Sequence, residues 1–181
     1  MEIGSGMGDV VSLPCFLGFH NVVGFEADPF LADVANRKVE ELFARKGVVR
    51  NEVFPCERSF RPDVLVQVNC VYGNGLCDKI GYLERLKQWY ALAGKPAYYV
   101  LEVIDDSFLG EHADYPEFLR VNANDIARAF PDSFIRMIPT YSYPANKSSK
   151  TIYVIEDSRC RRTLGHLYII RHSREGGNLY A

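Results

Sequence analysis

The first eight residues, Met1-Glu2-Ile3-Gly4-Ser5-Gly6-Met7-Gly8, restrict the folds open to this chain more than anything after them. A short lead-in runs into glycines at alternate positions, Gly4, Gly6 and Gly8. Glycine tolerates positive φ and carries no Cβ, so such a loop can turn tightly and let a ligand approach its backbone. Asp9-Val10-Val11 then reads as a helix start. A glycine loop between a strand and a helix is the usual ligand cradle of an open α/β sheet. A second element is in register with it. Asn21-Val22-Val23-Gly24-Phe25-Glu26 reads as a strand ending in an acid, and Glu26 stands 18 residues after Gly8. An acid about 20 residues beyond a glycine loop can accept both ribose hydroxyls of a nucleoside.

The spacing also excludes ligands. A dinucleotide site needs G-x-G-x-x-G. Gly4 and Gly6 fit it, but the third glycine is Gly8 and position nine is Asp9, which disfavours an NAD-dependent oxidoreductase. The phosphate loop G-x-x-x-x-G-K-[ST] is absent, and so is the G-x-S-x-G elbow of serine hydrolases. What remains, Glu-x-Gly-x-Gly-x-Gly followed by Glu26, resembles motif I and the ribose-binding acid of the class I S-adenosylmethionine (SAM)-dependent methyltransferases. The resemblance covers roughly residues 1 to 156, sharply over the first 28. It implies S-adenosyl-L-methionine as cofactor, with Glu2, Gly4, Ser5, Gly6, Gly8, Glu26, Ala27 and Asn69 around it. It implies a Rossmann-like three-layer α/β sandwich whose mostly parallel seven-stranded sheet is ordered 3-2-1-4-5-7-6, the seventh strand antiparallel. The family also has a longer first strand preceded by helical segments that help close the cofactor site. On that comparison the chain is shortened at its N-terminus.

At 181 residues the chain fits one domain and can bury a core without disulfide staples. A net charge of −2 gives no electrostatic footprint for nucleic acid. The five cysteines at 15, 56, 70, 77 and 160 form no C-x-x-C pair, and no histidine lies at metal-ligand spacing. They read as reduced thiols, mostly small buried apolar residues, and the expected compartment is the cytoplasm. No apolar run approaches a membrane span, and the opening is not a signal peptide.

The rest of the chain alternates strand and helix patterns. Asp9 to Phe19 predicts a helix with Val10, Val11, Leu13, Phe16 and Leu17 on its apolar face, shortened or kinked by Pro14. His20 reads as an exposed loop residue. Pro29 to Lys46 is the clearest helix: Asp28 can cap it, Pro29 suits its first turn, and Leu31, Val34, Ala35, Val39, Leu42 and Phe43 recur at helical spacing. Val48 to Phe54 is a polar strand suited to an edge, and Pro55 to Pro62 a loop in which Glu57 is the nearest acid for an adenine. Asp63 to Asn69 is a β-branched strand. Asp78 to Leu92 predicts a helix packing Ile80, Leu83, Leu86, Trp89 and Tyr90. Ala97 to Ile104 has the apolar character of a central strand. Asp114 to Phe130 reads as a turn and a helix starting at Asn124 or Asp125. Phe134 to Pro139 and Thr151 to Ile155 pair as a hairpin around a loop at Thr140 to Lys150, with Ile152, Val154 and Ile155 packing inward and Tyr141 and Tyr143 at the pocket or on the loop.

Ligands of an open parallel sheet sit off the carboxyl ends of its strands. Asn69-Cys70-Val71-Tyr72 falls at such an end. It resembles loosely the Asn-Pro-Pro-Tyr loop of N-methyltransferases, without the two prolines, and the Asn-x-x-aromatic-Gly pattern of the non-SET histone lysine methyltransferases. The resemblance gives Asn69 and Tyr72 the task of holding the methyl acceptor; a plain strand-end turn with a packed tyrosine is the other reading. Asp105 ends the fifth strand and is a base or substrate contact by position, or else caps the next turn; His112 is the other candidate base. The acceptor, nitrogen or oxygen, is not legible. Residues 1–158 form the expected domain and 159–181 a poorly ordered basic tail, whose Arg171-His172-Ser173-Arg174-Glu175-Gly176-Gly177-Asn178 looks like a translated bacterial repeat element. The competing expectation is a truncated remnant or SAM-binding module that folds without catalysing.

Overall fold

The computed structural model of the chain describes residues 1–56, 59–68, 75–105, 117–143 and 148–159. Its elements run β1 (Glu2–Ile3), α1 (Asp9–Phe16), β2 (Gly24–Phe25), α2 (Pro29–Phe43), β3 (Val49–Arg50), β4 (Val64–Gln67), α3 (Lys79–Leu92), β5 (Tyr98–Asp105), β6 (Arg120–Val121), α4 (Ala123–Ala129), β7 (Ser133–Tyr143) and β8 (Ser148–Asp157), with a short 3-10 turn at Glu117–Leu119. The strands form one sheet in the order β3-β2-β1-β4-β5-β8-β7. Strands β1 to β5 are mutually parallel, and β8 runs antiparallel to both β5 and β7. This is the expected Rossmann-like α/β order with one addition. The two-residue β6 pairs parallel with Ile104 and Asp105 of β5. Because Lys150 of β8 occupies the other side of Ile104, β6 lies on the β4 side, just beyond the end of β4.

Helices cover both faces, which makes the three layers. Ile3, Phe25, Leu65, Tyr99, Leu101, Val103, Tyr153 and Ile155 point into a core with Tyr82, Leu86, Trp89 and Tyr90 of α3 and with Ile126 and Ala129 of α4. Tyr90, Tyr99 and Phe130 stack and meet edge-on with centroids 5.6–6.0 Å apart. On the opposite face a smaller core joins Val11 and Cys15 of α1, Ala32, Ala35 and Val39 of α2, and Val48 and Val49.

Local chemistry sets the helix ends. Asp28 accepts from the N–H groups of Phe30 (2.8 Å) and Leu31 (3.2 Å), with Pro29 in the first turn. Helix α2 stops at Phe43, where Ala44 turns left-handed (φ 53°), short of the expected end at Lys46. Asp78 caps α3 through the Gly81 N–H at 2.7 Å. Helix α4 starts earlier than expected, because Asn122 and Asp125 form a reciprocal capping box.

Several expectations change. Helix α1 ends at Phe16, and Gly18 (φ 82°) turns the chain out. Its expected apolar face is split: Val11 and Cys15 are buried, whereas Leu13 (58% exposed), Phe16 and Leu17 (60%) are exposed. Leu42 and Ile80 also face solvent, since helical spacing cannot tell which of two flanking stripes a neighbour covers. β3 is an edge strand as expected, but only two residues long. β7 and β8 extend through most of the expected loop, and Thr151, Tyr153 and Ile155 are the residues of β8 that point into the α3 core. Cys15 is buried, Cys56 half-buried and Cys77 exposed, and none of the three is in a disulfide among the described residues. No helix among the described residues is long and apolar enough to cross a membrane, and none of these residues forms a metal-ligating cluster.

Candidate cofactor site

The site is built on the carboxyl edge shared by β1, β2 and β3. Ile3 pairs level with Phe25 of β2 and Gln67 of β4, so the glycine loop leaves the middle of the sheet. Gly4, Gly6 and Gly8 all have positive φ (72°, 50° and 79°), a conformation that side chains rarely adopt. The Gly4 and Ser5 N–H groups both donate to Phe25 O (2.8 and 2.9 Å), and Gly8 N–H closes the turn on Ser5 O at 2.8 Å. The glycines differ in what their missing side chains permit. A Cβ on Gly6 would meet nothing within 4 Å, so its backbone is open to a ligand. A Cβ on Gly8 would sit 2.9 Å from Ala35 Cβ, so Gly8 also lets the loop pack on α2. Gly24 makes room for Ser5, whose Oγ would lie 2.2 Å from an added Cβ.

Glu26 is the pivot. Its Oε2 accepts the Gly6 N–H at 2.7 Å and its Oε1 the Asp28 N–H at 2.9 Å. A carboxylate has about four lone-pair directions, so two backbone donors fix the group and leave two acceptor directions. A ribose diol brings two donors and fits that remainder. Asn51 holds the following turn, its Nδ2 donating to Glu26 O and Ala27 O, both at 3.0 Å.

Beside Gly4 and Ala27 opens a cleft of about 480 Å³, lined further by Glu52, Val53, Phe54 and Trp89. That volume is in the range of small-molecule sites. Mostly apolar walls, with Glu52, Arg85 and Gln88 as the polar side chains of the lining, suit a flat nitrogenous ring that carries an amino group. The residues present thus fit a nucleoside, although nothing in the volume alone selects one. Sequence reasoning passed over Asn51 and Glu52 as the polar part of an edge strand. The available signal was their place: they follow the carboxyl end of β3, where sheet ligands sit.

Glu2 is different. It is buried in β1, and burial pushes its carboxyl up to about 7, with the Ser5 hydroxyl and the nearby N-terminal ammonium offsetting part of the rise. The two side chains are close neighbours, yet Glu2 Oε2 and Ser5 Oγ meet no partner at hydrogen-bond geometry among the described residues. Two adjacent buried polar atoms without partners mark the underside of the loop as a polar spot in an apolar layer.

On the acceptor side, Asp105 ends β5 four residues past the level of Gln67 and accepts from Thr151 Oγ1 at 3.3 Å. It therefore reaches about 13 Å beyond the start of the glycine loop. Gln67 is buried and accepts the Tyr99 hydroxyl at 2.6 Å. Asn69, Tyr72, Glu57, His112 and the tail beyond Arg159 lie outside the described residues.

No protein-family model matches the sequence, and neither does any curated protein. Solved structures do match. Magnesium protoporphyrin IX methyltransferase from Synechocystis PCC 6803, with bound SAH, superposes at TM-score 0.64 and 14% identity, over 87% of this chain and 73% of that one. A SAM-dependent methyltransferase from Clostridium acetobutylicum ATCC 824 gives 0.60 and 11%, over 86% and 82%. The N-methyltransferase NodS from Bradyrhizobium japonicum WM9 gives 0.55 and 9%, over 86% and 84%. The fold is that of the SAM-dependent methyltransferases. At these identities the likeness extends to the fold, and the chemistry rests on the residues.

Proposed function

We propose that the chain binds S-adenosylmethionine and transfers its methyl group to a nitrogen or oxygen acceptor. The observation that carries this reading is the Glu26 carboxylate, clamped between the Gly6 and Asp28 N–H groups beside a cleft of nucleoside size. Glu26 takes the ribose hydroxyls with its remaining acceptor directions. Ala27, Val53 and Phe54 flank the adenine, and Glu52 accepts from its amino group. Gly4, Ser5 and Gly6 admit the methionine moiety against the backbone, with Glu2 and Gly8 supporting the loop.

The bound cofactor supplies an activated sulfonium methyl and a thioether leaving group. The chain's own part is binding, orientation and exclusion of water. Asn69 and Tyr72, after β4, hold the acceptor in line, and an aromatic beside the positive sulfur adds about 1–2 kcal/mol when desolvated. For an alcohol acceptor Asp105, oriented by Thr151, is the base.

Calorimetric titration with S-adenosylhomocysteine tests the reading. Micromolar binding that Glu26→Ala weakens tenfold or more, about 1.4 kcal/mol, is the expected result. A chain that melts cooperatively but gives no heat and no thermal shift is instead the non-binding remnant. A chain that binds S-adenosylhomocysteine yet methylates nothing across amine, amide and hydroxyl acceptors is a binding module.

A further inference from the structure

The crossover from β3 to β4 passes β2 and β1 on the α3 face of the sheet. A crossover between parallel strands usually carries a helix. Here the described part of residues 51–63 contains none. Two rings take its place. Phe54 and Phe60 pack on Phe25 of β2 with centroids 5.6 and 5.1 Å away, and the Arg50 guanidinium lies over Phe60 at 5.2 Å. Two rings cover less of a sheet than a helix does, and the strip left beside them is the cleft of about 480 Å³. Its floor is Ile3 and Phe25, one wall is Glu52 to Pro55, and the other is α3.

Helix α3 gives that wall Arg85, Gln88, Trp89 and Leu92. Their spacing of three and four residues makes them one stripe of the helix, beside the stripe of Tyr82, Leu86 and Tyr90 that faces the core. From Arg85 to Leu92 the wall runs about 10 Å. The topology fixes its direction. Helix α3 returns from the carboxyl end of β4 to the start of β5, so Arg85 is nearer the cofactor edge and Leu92 farther from it. The cleft thus begins at Gly4 and Ala27 and continues down the sheet face. Its far part is apolar and open. Phe54 and Trp89 are buried and meet edge-on at 6.5 Å, whereas Leu92 is 55% exposed on the helix and Val53 67% on the loop. Two large apolar side chains that line one cleft and face water have surface left for a ligand to bury.

We propose that the far part of the cleft is a subsite for a flat apolar group carried on the amino nitrogen of the adenine, so that the chain binds S-adenosyl ligands bearing an aryl substituent there more tightly than unsubstituted ones. The inference rests on the cofactor reading above and deepens it. In that reading Glu52 accepts from the adenine amino group. A monosubstituted amino group keeps one N–H for Glu52 and directs its substituent away from the carboxylate. Trp89 and Phe54 offer that substituent ring faces and edges, and Leu92 and Val53 lose water as it enters. A site of this volume holds a drug-sized ligand, which is more than a purine.

Calorimetric titration of the full chain with three ligands tests this: S-adenosylhomocysteine, its derivative benzylated once on the purine amino nitrogen, and its derivative dimethylated there. The benzyl derivative should bind at least threefold more tightly than the parent. The dimethyl derivative, with no N–H left for Glu52, should bind at least threefold more weakly. A benzyl derivative that binds no better than the parent overturns the proposal. So does a dimethyl derivative as tight as the parent, because the amino nitrogen then does not face Glu52. Leu92→Asp should bring the ratio of benzyl to parent affinity down to one or below, and Gln88→Leu, on the same stripe, should raise it. The ratio is taken within one protein, so a change in fold does not imitate it. A ratio that neither variant moves seats the benzyl group elsewhere and overturns the subsite. Silence toward all three ligands from a folded chain overturns the cofactor reading and the subsite with it, whereas a bound parent and a rejected benzyl derivative overturn the subsite alone.

Discussion

The two halves of the sheet are built on opposite terms. On one side β1, β2 and β3 are two residues each, pair only in parallel, and carry the glycine loop, Glu26 and the cleft. On the other, β5, β7 and β8 run 8, 11 and 10 residues and pair antiparallel with β8 in the middle. Seven of the eight β5 residues face partners on β8, whereas β1 offers two residues to each neighbour. The long half holds Tyr99, Leu101, Tyr153 and Ile155, each fully buried. The short half ends where ligand chemistry needs exposed backbone. The difference assigns stability to one half and recognition to the other, and mutations can break that division.

The largest expected effect is in the long half. Leu101→Ala removes a fully buried side chain and should cost about 2–5 kcal/mol in urea unfolding. Val49→Ala, buried on the edge strand, should cost less than half as much. The reverse order would mean that the short strands anchor the fold. Glu2 gives the next effect, and it lies in the short half. Burial raises its folded pKa to about 7, above the ordinary carboxyl value of about 4.5. Stability from this group is therefore complete below pH 4.5 and lost as pH rises through 7, on the order of 3 kcal/mol. Wild type should melt higher at pH 5 than at pH 8, and Glu2→Gln should flatten that difference. A slope that survives the substitution removes Glu2 as its source.

Gly8→Ala comes third. It forces a side chain into a left-handed backbone and to within 2.9 Å of Ala35 Cβ. The expected loss is about 1–3 kcal/mol, together with weaker S-adenosylhomocysteine binding. Gly6→Ala meets no neighbour and should pay only the backbone strain. Equal losses at the two positions would deny Gly8 its packing role on α2.

What could be read from the sequence follows the same division. The recognition half is local: the loop, the acid and the cap lie within 28 residues, so spacing alone connects Gly6 to Glu26 and Asp28 to α2. The alternation of elements gives the α/β class and the terminal hairpin, and the strand order is what the resemblance to the methyltransferase family implies. The misses have physical causes. Amphipathic spacing marked Leu13, Leu17, Leu42 and Ile80 as core, but burial depends on whether a neighbouring element covers that stripe. The Pro, Ser and Asn content of 140–150 signalled a loop, yet the ladder with β8 carries the strand to Tyr143. Glu52 was invisible because its importance comes from the turn of the chain after β3, which no periodicity encodes.

Asn51 gives the smallest and most discriminating test. It is not itself a lining residue of the cleft, and its Nδ2 donates to the carbonyls of Glu26 and of the lining residue Ala27. Asn51→Ala leaves those carbonyls without that donor, which should cost about 1 kcal/mol of stability. Glu26 keeps its own bonds to Gly6 and Asp28, so its carboxylate stays in place while the turn beneath it loosens. S-adenosylhomocysteine affinity should then fall about three- to fivefold (under 1 kcal/mol), against tenfold or more for Glu26→Ala. An unchanged affinity would make the turn after β2 a passive support. A loss as large as that of Glu26→Ala would mean that the recognition half depends on its backbone scaffold as much as on the acid, and that the short strands are less independent of the site than their length implies.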